Sequence, residues 1–183
     1  MAAPSFDPSG YFEFSLATGA TQTRDGSRVI VLSDSALANL VGAAVERGDV
    51  TAFRQLGKQV GEAVVRSLGR PAAGLPPEEV MGHAASTLAL FGWGKLSIER
   101  WGDALIATMS NLPLLNDSQL GVAALLGGMF TYLMGDEVIT LPADQNGRFI
   151  LVSPDVAEQV WEWYTNGDSI ESMVRRLGPS ARL

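Results

Sequence analysis

The chain has 183 residues, which fits one domain of ordinary size or a small domain with an arm. Only 18% of the residues are charged and the formal net charge is −7. Nucleic acids and anionic membranes bind clustered positive charge, so this balance argues against both as partners. The chain has no cysteine, which excludes disulfides, thiolate metal sites, iron–sulfur clusters and a cysteine nucleophile.

The start of the chain predicts a flexible lead-in over residues 1–10, because this stretch is rich in Pro, Gly and Ser. Residues 11–183 are predicted to form a single α+β domain. No secretory signal is visible, and the apolar runs are shorter than the roughly 20 residues that cross a bilayer. We therefore expect no direct membrane insertion and a cytoplasmic location, with a periplasmic one left open.

The N-terminal third predicts strands followed by helices. Residues 11–16 alternate with period two and residues 28–32 form a β-branched run, so residues 11–32 are expected to form a β-hairpin with a long connection. Ser33, Asp34 or Ser35 then caps a helix at about 35–47. A second apolar stripe predicts a helix at about 50–68.

The rest of the chain continues this alternation of helices and strands. Two adjacent prolines end a turn over residues 70–77, and Pro77 opens a helix that runs to about Leu90. Residues 92–110 give the clearest hairpin, and an apolar helix follows at about 118–134. Strands at 137–141 and 148–152 and helices at about 154–165 and 169–177 complete the chain. The predicted architecture is a set of helices packed on a small antiparallel sheet, preceded by the N-terminal β-hairpin.

Reaction chemistry is not indicated by the titratable residues. The single histidine, His83, follows Glu79 by four residues on one predicted helix, and such a pair could polarise a general base. A surface histidine in a helical ion pair is the simpler interpretation. The aspartates nearly all lie beside Gly, Pro or Ser in turns, where they cap helices and form Asx-turns. We expect no catalytic residue, metal or cofactor.

Glycines at close spacing in predicted helices indicate tight packing. Gly57 and Gly61 lie four residues apart, and Gly127 and Gly128 interrupt an apolar helix together with Gly121. A helix-interior glycine costs up to about 1 kcal/mol against alanine, and close approach of another backbone would compensate that cost. These residues, with Gly92, Trp93 and Gly94, are our candidates for packing between subunits.

Four tryptophans are candidates for partner or glycan contact. Trp93 and Trp101 are predicted to share one face of a strand with Lys95, Ser97 and Glu99, so part of that face should meet solvent or a partner. Trp161 and Trp163 lie in a predicted C-terminal helix. Exposed aromatic side chains can stack on sugar rings or anchor an interface, although core packing is the simpler role for each.

The segment Leu88-Ala-Leu-Phe-Gly-Trp-Gly-Lys-Leu-Ser-Ile-Glu resembles the D subunit of bacterial cellulose synthase operons. The resemblance covers about residues 56–138 and includes Asn111-Leu-Pro113 and the glycine-bearing helix after it. It implies a non-catalytic accessory protein that forms ring-like homo-oligomers and assists the export and bundling of cellulose, with other cellulose synthase subunits or glucan chains as partners.

A second, more distant resemblance leads to an alternative function. The Gly128, Gly135 and Val138 pattern is similar to the 4-vinyl-reductase-like and TRAPP-type α+β folds. That resemblance implies a small-molecule-binding sensor, or a trafficking or assembly adaptor, with an apolar pocket between the central helix and the hairpin. The first hypothesis remains an oligomeric scaffold or accessory protein.

Overall fold

The computed structural model describes residues 8–113 and 119–177, and its element order confirms the predicted α+β fold. The predicted lead-in lies mostly outside the described residues, as does the approach to the fourth helix. The elements are β1 (Phe12–Ser15), β2 (Ala20–Thr23), β3 (Arg28–Val29), α1 (Asp34–Glu46), α2 (Thr51–Leu68), α3 (Pro77–Leu90), β4 (Lys95–Trp101), β5 (Ala104–Ser110), α4 (Gln119–Met134), β6 (Ile139–Pro142), β7 (Arg148–Val152), α5 (Pro154–Thr165) and α6 (Ile170–Leu177).

A four-stranded antiparallel sheet forms the centre of the fold, with the strand order β4-β5-β7-β6. Its middle strands are apolar on both faces because helices cover both faces. Leu105, Ala107 and Met109 belong to one core cluster, whereas Ala104 and Ile106, which alternate with them, belong to a second. The sheet is therefore the middle of three layers.

The two outer layers differ in size. Helices α2, α3 and α4 supply the larger core cluster, which includes Val64, Leu88 and Phe130 with the facing side chains of the sheet. Helices α5 and α6 supply the smaller cluster on the opposite face, through Val160 and Met173. The smaller pair of helices leaves part of its sheet face uncovered at β4, where Lys95, Ser97 and Glu99 are exposed.

The predicted N-terminal β-hairpin is present as β1 and β2, and β3 adds a third antiparallel strand, so this region forms a separate sheet with the order β1-β2-β3. The strand that pairs with β1 is Ala20–Thr23, which lies within the long connection that we expected. Thr21 and Thr23 are β-branched and suit a strand, and left-handed Gly19 and Gly26 allow a tight turn on each side. Of the predicted strand at 28–32, only Arg28 and Val29 pair with β2.

Local capping explains the helix ends that the sequence predicted. The side-chain oxygen of Ser33 accepts a hydrogen bond from the backbone N–H of Ala36 at 3.2 Å, so Ser33 is the residue that caps α1. Pro77 occupies the first turn of α3, where its missing N–H costs nothing. Gly135 adopts a φ of 81° directly after α4, which is the left-handed ending expected of a glycine there.

The glycines of α2 and α4 bring these two helices into backbone contact within one chain. A β-carbon on Gly57 would overlap the carbonyl oxygen of Leu125, and one on Gly128 would overlap that of Arg54. A β-carbon on Gly61 would lie 2.9 Å from the Cβ of Tyr132. The chain's own helices fill this surface. The contact between subunits that we expected at these glycines is therefore corrected to a contact inside the protomer.

Arg54 links this helix pair to the edge of the central sheet. Its guanidinium donates to Thr131 Oγ1 at 3.1 Å and to the carbonyl of Val138 at 3.3 Å, and it forms an ion pair with Glu137. A β-carbon on Gly127 would come within 2.9 Å of that guanidinium. Gly127 thus leaves the space through which Arg54 reaches the start of β6.

The helix contact gives a prediction with a matched control. Gly128→Ala should lower the free energy of unfolding by about 1–3 kcal/mol or more, because the backbones of α2 and α4 must separate. Gly82→Ala places the same methyl group in α3, where nothing lies within 4 Å, and should raise stability by up to about 1 kcal/mol. Urea unfolding of both variants measures the difference. Equal effects of the two substitutions would contradict the contact.

Candidate functional site

The Gly92-Trp93-Gly94 segment ends helix α3 by a Schellman motif. The N–H of Gly92 donates to the carbonyl of Ala89 at 3.1 Å, and that of Trp93 donates to the carbonyl of Leu88 at 2.9 Å. Gly92 takes the left-handed conformation that this motif needs, with a φ of 79°. The segment therefore has a structural role at the start of β4.

Trp93 and Trp101 do not share a face of the sheet, contrary to our expectation. Trp93 is 8% exposed and belongs to the larger core cluster, whereas Trp101 packs beside the smaller cluster. The reason is Gly94, whose φ of 97° interrupts the period-two alternation between the two tryptophans. A β-carbon there would overlap the carbonyl oxygen of Ser110, so only glycine fits.

The other three tryptophans lie on or near the α5–α6 side of the sheet. The Trp101 ring donates its N–H to Glu99 at 3.0 Å, and the guanidinium carbon of Arg148 lies 5.6 Å from its centroid. Trp163 packs against the smaller core cluster and carries Arg176 over its ring. Trp161 is 37% exposed.

Two adjoining cavities lie along this side of the molecule and together form what we call the α6 cleft. One, of about 700 Å³, is lined by residues of the β4–β5 turn and of α6: Trp101, Gly102, Asp103, Glu171, Val174 and Arg175. The other, of about 480 Å³, lies between the β6–β7 turn and the α5–α6 turn, where Asp144, Gln145, Arg148 and Tyr164 line it. Glu171 lines both cavities, and the stacked pair of Trp101 and Arg148 contributes one residue to each.

Hydrogen bonds hold the polar side chains of the α6 cleft in place. Asp144 receives the backbone N–H of Asn146 at 2.8 Å and forms an ion pair with Arg148. Gln145 Nε2 donates to the hydroxyl of Tyr164 at 3.2 Å. Asp168 pairs with Arg176 at 2.6 Å at the end of the cleft. A ligand would therefore meet side chains whose positions are already fixed.

The charge of Asp144 is stabilised by these bonds. Burial favours the protonated carboxyl, but the N–H groups of Asn146 and Arg148 and the Arg148 guanidinium outweigh it, so the pKa of Asp144 lies below its usual range. Asp144 is therefore a carboxylate at neutral pH, and it neutralises the guanidinium that stacks on Trp101.

A second candidate site is an apolar area at the N-terminal sheet. We call the side chains of Phe14, Leu16, Ile30, Val31 and Leu32 the N-terminal apolar surface; they are between 51% and 98% exposed. The strand register places the β1–β2 turn and the residues after β3 at the same end of the sheet.

Ring contacts and an ion pair anchor this sheet to the body at its opposite end. The rings of Tyr11 and Phe12 stack edge-on against Phe91 at 6.1 and 5.9 Å, and Asp25 pairs with Arg66 of α2 at 2.9 Å. Phe14 lies on the same sheet face as Phe12, two residues further along β1. The sheet face that contacts the body through Phe12 is therefore exposed to solvent at Phe14.

The remaining candidates of the sequence analysis have structural partners. His83 Nδ1 lies 3.0 Å from Ser67 Oγ, a contact between α3 and α2, and Glu79 pairs with Arg70 at 2.7 Å. Within residues 8–113 and 119–177, no group of three or more His, Asp or Glu side chains is placed to hold a metal ion. None of the helices in those ranges has the length and apolar character to cross a bilayer.

Sequence reasoning singled out Trp101 of the α6 cleft and missed the other residues that make up the two sites. The α6 cleft takes its side chains from three turns far apart in sequence, and each of them alone has the composition of an ordinary turn. The N-terminal apolar surface could have been predicted from the apolar run between Val29 and Leu32. We interpreted that run as the second strand of the N-terminal hairpin.

The bonds of Asp144 predict a pH-dependent contribution to stability. The pKa of Asp144 is lowered by folding, so its contribution is complete above about pH 4 and is lost as the pH falls through the folded value. Asp144→Asn should lower the free energy of unfolding by about 1–2 kcal/mol at pH 7. The difference from wild type should shrink towards pH 3 in urea unfolding, and a difference independent of pH would contradict this assignment.

Comparison with known proteins gives distant structural similarity alone. No family model matches the chain, and no curated protein matches it. Among solved structures, it is similar to the phenol-responsive sensory domain of the transcription activator PoxR, crystallised with phenol. The two share 14% sequence identity and a TM-score of 0.49, over 77% of this chain and 83% of the other.

Proposed function

We propose that this chain is a non-catalytic accessory protein that works as a homo-oligomer and assembles through the N-terminal apolar surface. The observation that carries the proposal is the exposure of its side chains, which reaches 82% at Ile30 and 98% at Leu16. A single exposed apolar residue is ordinary, whereas a group of five at one end of a sheet is typical of an interaction site.

Burial of this surface against a second copy would be favourable. Full burial of a Val, Leu, Ile or Phe side chain contributes about 1.5–3 kcal/mol, so five of them offer a substantial gain on association. Each copy carries a formal net charge of −7, so this gain must outweigh a like-charge repulsion between the copies, which salt screens.

The backbone at this surface can also pair with the same segment of a second copy. β3 is an edge strand, and the residues after Val29 continue a β-branched run that pairs with no other strand of the described chain. Such an edge is a template for another strand. Two copies can pair this run antiparallel about a twofold axis, which buries the same residues on both sides.

The proposed role in cellulose synthesis and export is supported by the resemblance of Leu88–Glu99 and its surroundings to the cellulose synthase D subunit. In this chain that segment ends α3 and forms β4, so it bears on the fold more directly than on a partner. Co-elution of the purified chain with cellulose synthase subunits tests the pathway. Failure to co-elute, with the oligomer intact, would remove the pathway and leave the assembly.

The alternative, a small-molecule sensor, calls for a ligand between α4 and the β4–β5 hairpin. That space holds the larger core cluster, in which Leu126, Met129 and Phe130 of α4 are buried with Leu96 and Met109 of the hairpin. Native mass spectrometry of the purified chain distinguishes the functions. A bound small molecule of constant mass would favour the sensor, and bare oligomers would favour the scaffold.

The assembly predicts a loss of oligomers when a charge enters the N-terminal apolar surface. Val31→Asp should weaken association by about tenfold or more, because a twofold interface contains the substitution twice. Gln22→Asp adds the same charge to the polar face of the same sheet, in the row of Glu13, Gln22 and Arg28, and should leave association unchanged.

Light scattering on the fractions that elute from a size-exclusion column measures the molar mass of both variants and of the wild type at micromolar concentration. Circular dichroism confirms that each variant is folded. A wild-type chain that elutes as a monomer would contradict the proposal, as would equal oligomers of wild type and Val31→Asp.

A further inference from the structure

The central sheet has one protected edge and one open edge. At the protected edge, β6 has four residues and ends at Pro142, which has no N–H to donate, and Arg54 donates to the carbonyl of Val138 just before the strand. At the open edge, β4 has seven residues without proline, and within the described chain it pairs with β5 alone. An edge strand of this length presents unpaired N–H and C=O groups to another strand.

The hydrogen-bonding register shows which backbone groups of β4 face the open edge. Met109 of β5 donates to the carbonyl of Gly147, on the β7 side, so the residues that alternate with Met109 bond to β4. One of these alternate residues is the partner of Ser97. Because backbone orientation alternates along a strand, the N–H and C=O groups of Leu96 and Ile98 face the open edge.

The side chains of β4 are self-complementary in an antiparallel pairing. When two copies of β4 pair about a twofold axis at Ser97, Lys95 of each copy lies opposite Glu99 of the other. On the other face of the strand, Leu96 lies opposite Ile98. These two apolar residues are the ones whose backbone groups face the open edge, so the same register also forms the hydrogen bonds.

Neighbouring registers lack this match. An axis at Lys95 or at Glu99 places two like charges directly opposite each other, which is destabilising. An axis at Ile98 places Leu96 opposite Arg100, and an axis at Leu96 places Ile98 opposite a glycine. A lysine on an edge strand ordinarily opposes pairing with another chain. In the register centred on Ser97, the carboxylate of Glu99 compensates that lysine.

The side chains of this register are accessible for the contact. Lys95, Ser97 and Glu99 are exposed, and Lys95 forms no ion pair with another described residue. Glu99 accepts the N–H of Trp101 through one carboxylate oxygen, which leaves its second oxygen for a lysine. Ile98 is half-buried at the rim of the larger core cluster, so pairing would cover the rest of its side chain.

We propose that β4 is a second interface between copies of this chain, in which two β4 strands pair antiparallel about a twofold axis at Ser97. The pairing joins the four-stranded sheets of two copies into one continuous sheet. This inference goes beyond the proposed function, because it uses no residue of the N-terminal apolar surface.

Cysteine cross-linking of the full chain tests the register, since the chain has no cysteine of its own. Residues opposite each other at the axis have Cα atoms about 4.5 Å apart, which a disulfide can bridge. Ser97→Cys should therefore form a disulfide-linked dimer under mild oxidation. Arg100→Cys is the matched control, because this exposed residue of β4 keeps both charges of the register. Its two copies would lie about 20 Å apart along the paired strands.

A charge exchange tests the complementarity of the two strands. Lys95→Glu, added to Ser97→Cys, should slow cross-linking about tenfold below saturation, because both cross-strand pairs become repulsive. Adding Glu99→Lys as well exchanges the two charges and should restore most of the rate. Circular dichroism confirms that each variant is folded.

Two results would overturn the interface. They are cross-linking of Ser97→Cys no faster than that of Arg100→Cys, and a charge-exchanged variant that cross-links as slowly as the variant with Lys95→Glu alone. Val31→Asp, added to Ser97→Cys, separates this proposal from assembly through the N-terminal apolar surface. Cross-linking should persist in that variant, whereas the failure of assembly through the N-terminal apolar surface would show as oligomers that Val31→Asp does not change.

Discussion

The backbone contact between α2 and α4 is the constraint on which the rest of the fold depends. Gly57 and Gly128 leave no side chain between the helices, so each lies against a carbonyl oxygen of the other helix. This approach brings Arg54 within reach of Thr131, Val138 and Glu137. Because Val138 directly precedes β6, the helix contact fixes one edge of the central sheet as well as the helices that cover it.

The same helix determines where the N-terminal sheet lies. Arg66, in the last turn of α2, pairs with Asp25, while Phe91, just after α3, receives Tyr11 and Phe12. These few contacts hold one end of a small sheet whose other end projects from the body. A sheet anchored in this way has little apolar contact of its own, so a second copy that covers the free end would stabilise it.

The sequence predicted features whose causes are local and missed those whose causes are distant. The ends of α1, α3 and α4 follow from Ser33, Pro77 and Gly135, which act within one turn of their own position. The glycine spacing correctly indicated close approach. The spacing could not show whether the second helix belongs to the same protomer or to another one, because glycine permits close backbone contact in both cases.

The error over Trp93 and Trp101 has a specific physical origin. Alternation predicts a shared face only while every residue between them stays extended, and Gly94 leaves the extended region. Nothing in the local pattern marks this, since the carbonyl that excludes a side chain belongs to Ser110 on the next strand. The α6 cleft is harder still to predict, because only the packing of α5 and α6 on the sheet brings its three turns together.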